Sequence, residues 1–223
     1  MIAERSWGPS KALLGILVLV VVVALEGAVV SILDPGLHSV GAKLALQAIL
    51  AVTLAAVAFL MAGTDGRAAA PAALGLRRPS GNPVRTAIIG YAAYFAFVIV
   101  YANTVQPHQK DLTRALGFNH GAVAAVVIGL LVVLAAPISE EIFFRGFLFG
   151  GLRRGLPFVG AALVSALIFG AFHYTGVRSL TVLPQLAALG LVLAWVYERT
   201  GSIYPTMAIH AVNNAIAFVI LIS

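Results

Sequence analysis

The chain has 223 residues, of which 61% are hydrophobic and only 10% charged, and its mean hydropathy is +1.02. That balance excludes an ordinary water-soluble domain and leaves a membrane domain with little besides apolar spans. A net charge of +6 would suit nucleic acid if it formed a patch, but the basic residues are scattered through short loops; with no cysteine, disulfides, thiolate catalysis and cysteine-based zinc sites are excluded.

A helix needs roughly 20 mostly apolar residues to cross about 30 Å of hydrocarbon. Runs of that kind fall at about 12–33, 41–62, 86–104, 121–138, 157–174, 180–198 and 203–222. They predict an all-α, polytopic transmembrane helical bundle of seven to eight spans. The first run is longer than the apolar core of a signal peptide and ends at Asp34-Pro35, so it is expected to stay as an anchor. Gly63 to Arg85, with its Gly, Ala, Pro and four arginines, reads as a solvated connector, and Val105 to Gly121 as a shorter loop. The fourth run continues past Ser139-Glu140-Glu141 and Arg145 to Arg153-Arg154, which predicts one long or broken helix from about 121 to 152. An amino terminus in the cytoplasm puts Arg5, Lys11, Arg67, Arg77, Arg78, Arg85, Arg153, Arg154 and Arg199 inside, against Lys43, Lys110, Arg114 and Arg178 outside. The positive-inside bias supports that orientation.

Ionisable groups within a span cost roughly 2.5–3.5 kcal/mol each to insert, so each needs a partner, water or a function. Such groups cluster in Glu140-Glu141-Ile-Phe-Phe-Arg145, in Phe169-Gly-Ala-Phe-His173 and in His210-Ala-Val-Asn213-Asn214. Glu26 stands apart, with no evident partner in its run, and reads as a packing residue. From the turn Arg153 to Pro157, Glu140 lies 13 residues back and His173 16 forward, roughly 20 and 24 Å along antiparallel helices. The two can face each other, and Asn214 reaches a similar depth from the next connection. Glu141 and Arg145, at i and i+4, can pair, which leaves Glu140 for other work; His210 and Asn214 share the same spacing and aim at one place. Phe169 sits one turn from His173 and can pack beside its ring.

A desolvated Glu140 suits a general base for water, with His173 orienting that water and His210 and Asn214 stabilising an oxyanion. The same trio of Glu140, His173 and His210 can instead hold a divalent metal such as zinc with an open water position, and these residues alone leave both choices open. No H-E-x-x-H helix, G-x-S-x-G elbow or P-loop points to other chemistry.

The motifs E-E-x-x-x-R, F-x-x-x-H and H-x-x-x-N, in this order on successive apolar helices over about 121–220, resemble the CAAX protease and bacteriocin-processing (CPBP, or Abi) family, which includes the type II CAAX prenyl endopeptidases. The resemblance implies an intramembrane endopeptidase, glutamate-dependent or metallo, that cleaves membrane-associated or prenylated (CAAX-like) substrates. Glu140 and His173 would act on water, His210 and Asn214 would complete the site, and Glu141, Arg145 and Phe169 would support it. On this reading 1–120 comprises amino-terminal helices with a cytoplasmic loop, and 121–223 the catalytic core of one continuous membrane domain. The expected partners are lipids and a peptide substrate in a bacterial cytoplasmic membrane, without nucleic acid. Two alternatives stay open at this stage: a non-catalytic scaffold or bacteriocin-immunity protein, and a small transporter, although no inverted repeat favours the latter.

Overall fold

The computed structural model describes residues 7–35, 39–63, 70–106, 122–174 and 177–222. Within these, the regular structure is helical: α1 (Pro9–Leu33), α2 (Val40–Gly63), α3 (Ala70–Ala73), α4 (Pro83–Val105), a composite α5 beginning at Ala122–Leu130 and ending at Gly150–Leu152, α6 (Phe158–Phe172), α7 (Leu183–Thr200) and α8 (Tyr204–Ile222). Proline opens α1, α4 and α7, where its missing N–H falls among donors that have no intrahelical partner anyway. Gly201, at φ +64°, closes α7.

The helices Pro9–Leu33, Val40–Gly63, Pro83–Val105 and Val123–Leu152 are long and apolar enough to cross a membrane, and Phe158–Phe172 is a shorter apolar helix. Large apolar side chains such as Leu17, Leu25, Ile32, Ile88, Val100, Val123 and Leu167 point outward and exposed, as lipid contact requires. The chain is therefore a multi-pass integral membrane protein built as an all-α bundle. α5 lies at its centre and packs against α1, α2, α6, α7 and α8.

α5 is not a regular α-helix. Leu131–Ala135 and Glu141–Phe149 are π-helical, separated by the α-helical turn Ala136–Glu140. Pro137 accounts for the first departure, because it lacks an N–H and its ring collides with the preceding turn of an α-helix. All nine residues of the second π segment are buried.

The connector before α4 is less solvated than its composition suggests. Leu74 is wholly buried, and Gly75, at φ +85°, lies against the Tyr197 ring. The segment stays down because the turn after α7 pairs with its polar groups: Ile203 N–H donates to Gly75 O, Ser80 N–H to Thr200 O and Arg77 Nε to Gly201 O. Glu26 has a partner after all, since Thr53 Oγ1 on α2 donates to its Oε1 and ties α1 to α2. Residues 64–69 of the first loop and 107–121 of the second lie outside the described residues, as do Arg5, Arg67, Lys110, Arg114 and the side chain of Arg178.

Candidate active site

The second π segment of α5 sets the foundation. Glu141 Oε1 accepts from Arg145 Nη1 at 2.9 Å and from His210 Nδ1 at 3.0 Å, with all three side chains almost fully buried. Thr206, one turn before His210 on α8, is buried beside the same carboxylate. The Arg145 guanidinium also reaches the Gly190 carbonyl on α7 at 3.4 Å and lies 4.4 Å above the centre of the Phe169 ring. A buried charge pair of this kind needs extra hydrogen bonds to offset its desolvation, and here α7 and α8 supply them.

Phe169 is the block against which the site is cast. Its ring meets Phe144, His173 and His210 edge-on, with centroids 5.2, 4.9 and 5.6 Å away. One ring thus limits the rotation of both imidazoles and screens the Arg145 charge.

Each histidine is held by Nδ1 and offers Nε2. His173, at the carboxyl end of α6, has Nδ1 2.9 Å from the Phe169 carbonyl. A carbonyl only accepts, so Nδ1 carries the hydrogen and the neutral ring has its lone pair on Nε2. His210 Nδ1 donates in the same way to Glu141. Both Nε2 atoms stand 3.8 Å from Glu140 Oε2, a buried oxygen that has no hydrogen-bond partner among the described residues. That separation exceeds a direct hydrogen bond and is too short for a water between the atoms, so a water reaching both sits beside the line that joins them. The His173 side chain is 31% exposed against 3% for His210, so the site is most open at His173.

Glu140, Glu141, Arg145, Phe169, His173 and His210 are thus brought together. Asn214 points elsewhere: its Nδ2 donates to Val132 O on α5 at 2.9 Å, and Asn213 Nδ2 lies 3.5 Å from its Oδ1. Gly190 O and Thr206 escaped the sequence reading because a backbone carbonyl and a threonine one turn from His210 carry no signal of their own. The donor types of Glu140, His173 and His210 suit zinc, but among the described residues no group of three His, Asp or Glu side chains is gathered closely enough to hold a metal ion.

Outside the spans, Arg153 in the α5–α6 turn binds Glu198 near the end of α7 through Nη2 at 2.7 Å and Nε at 3.2 Å. The hydrogen bonds to that carboxylate hold the guanidinium pKa above its ordinary value. This clamp fixes the spacing of the helices that carry Glu140 and Gly190.

Comparison with known proteins places this geometry. Residues 122–216 match the family model described as type II CAAX prenyl endopeptidase Rce1-like. "Putative membrane peptidase YdiL" of Bacillus subtilis is 34% identical over 127 residues, which is 57% of this chain and 47% of that protein. The uncharacterized protein YyaK of the same organism is 29% identical over 56% of the chain and 44% of its own length, and the UPF0177 protein YxdF of Lactococcus lactis is 31% identical over 40% and 44%. The chain spans about half the length of the curated relatives it matches. No solved structure matches it. Every residue of the site lies within 122–216, the segment that is similar to the Rce1-like type II CAAX prenyl endopeptidases.

Proposed function

We propose that this protein is an intramembrane endopeptidase that hydrolyses peptide bonds of membrane-associated substrates, prenylated CAAX-like peptides among them, with a water activated by Glu140. The observation that carries this reading is the convergence of two fixed imidazole Nε2 atoms, each 3.8 Å away, on the buried and unpartnered Oε2 of Glu140. A water beside the two atoms donates one hydrogen to Glu140 and the other to His173 Nε2, leaving an oxygen lone pair for the peptide carbonyl. As the water attacks, its proton passes to Glu140, and Glu140 then delivers it to the departing amine. His210, anchored on Glu141 through Nδ1, presents its Nε2 to the same oxygen; as an imidazolium balanced by the Glu141 carboxylate it carries a hydrogen on Nε2 as well and donates it to the developing oxyanion. The match of 122–216 to the Rce1-like family model and the similarity to the membrane peptidase relative support the reaction class.

The test is cleavage of a panel of membrane-associated peptides, prenylated ones included, by purified wild type and Glu140→Gln in lipid. Loss of a general base lowers the rate by about 10²–10⁴-fold, and the variant is expected to match wild type in thermal stability. Equal cleavage by an equally stable Glu140→Gln would remove Glu140 as the base. Because the three ligand candidates are not gathered as a metal site, o-phenanthroline is expected to leave the rate unchanged; inhibition reversed by added zinc would overturn the metal-free mechanism.

A further inference from the structure

The first π turn of α5 lies directly ahead of Glu140, and its hydrogen bonding has a defect that the sequence dictates. Ala136 N–H donates to Leu131 O, five residues back. In that register the next donor, residue 137, would serve Val132 O, but residue 137 is proline and has no N–H. A carbonyl left unpaired inside an apolar bundle must find a donor elsewhere. It finds one on α8, where Asn214 Nδ2 donates to Val132 O at 2.9 Å.

We propose that Asn214 is a positioning residue: its side-chain amide replaces the N–H that Pro137 lacks and so holds the π turn that aims Glu140. This rests on Glu140 being the base, and it gives Asn214 a different task from contacting the oxyanion. The motif on α8 then has two jobs one turn apart. His210 faces the reacting groups, while Asn214 fixes the helix that carries the base, three residues beyond Pro137. The bond also joins α8 to α5 at a second level, above the one between His210 and Glu141.

The inference predicts that Asn214 matters only while residue 137 is proline. Pro137→Ala restores a backbone donor, so a double-mutant cycle separates the two roles. Asn214→Ala is expected to lower Tm by about 3–8 °C when residue 137 is proline, and by less than about 2 °C in the Pro137→Ala background. With a cleaved peptide, Asn214→Ala should lower kcat about tenfold or more with KM little changed, and Pro137→Ala/Asn214→Ala should regain most of that loss. Equal Tm losses in both backgrounds would overturn the assignment, as would a kcat that stays low in a double variant whose stability has returned. If Asn214→Ala fails to accumulate, accumulation of the double variant supports the coupling and its failure overturns it. Should wild type cleave nothing, the protease reading fails by itself and the Tm cycle still decides the role of Asn214.

Discussion

Arg145 is wholly buried with its guanidinium on Glu141 Oε1 and over Phe169, so Arg145→Met leaves a carboxylate inside the bundle without its main counter-charge. Removing one partner of a buried ion pair costs about 3–5 kcal/mol, whereas replacing both by apolar or neutral groups of similar volume is often tolerated. Arg145→Met is therefore expected to lose that much stability in denaturation from micelles, and Glu141→Gln/Arg145→Met to recover most of it; a double variant as unstable as the single one would show that the pair is not the source of the loss. At this scale the sequence was informative where chemistry is rare. Glu140, Glu141, Arg145, His173 and His210 stand out because few ionisable groups interrupt the apolar runs, and the spacing of Glu141 and Arg145 forecasts their contact. The function of Asn214 was not readable, because it depends on which carbonyl Pro137 leaves open 77 residues away. Gly190 enters through its backbone, which no side-chain pattern can reveal.

Helix boundaries followed the apolar runs closely, since a span must be apolar along its length and charge or proline marks its ends. The interior of α5 did not follow them. A π turn arises from the clash and missing donor at Pro137 together with tertiary partners, and hydropathy registers neither. The same interior sets a steric demand at Gly146, where an added Cβ would lie 2.5 Å from the backbone oxygen of Leu74. Backbone flanked by the hydrogen bonds of Gly75 and Leu76 cannot swing aside as a side chain can, so Gly146→Ala is expected to destabilise by about 1–3 kcal/mol, the usual range for overpacking. Gly160→Ala on α6 is the control: its new methyl meets nothing nearer than 3.8 Å, and its effect on stability should stay within about 1 kcal/mol. Thermal unfolding of the two variants side by side checks the contrast, and equal shifts would mean that the connector around Leu74 yields.

One end of the whole bundle gathers Trp7, the Arg153–Glu198 clamp and the segment 75–80 paired with the turn after α7. Arg78 and Arg154 are exposed there, so Arg77, Arg78, Arg153 and Arg154, all assigned to one side by the positive-inside bias, share one end of the fold. Glu140 lies 12 residues before Leu152, more than two helical turns from that end. His173 terminates α6 beyond it and is the exposed member of the site, and Tyr174 is 50% exposed. The site is therefore most open toward the end opposite the arginines, where the exposed Asn103 near the end of α4 also sits. Because the chain has no cysteine, single cysteines can be read with a membrane-impermeant maleimide without background. With the arginine end in the cytoplasm, Arg78→Cys and Arg154→Cys are expected to label in inverted vesicles and not in intact cells, and Asn103→Cys and Tyr174→Cys to do the reverse. Labelling of Tyr174→Cys from the same side as Arg154→Cys would place the mouth at the arginine end and sink this account of substrate access. The opposite sidedness would mean that a scissile bond reaches Glu140 from the far side of the membrane, or by lateral entry between helices at the level of His173.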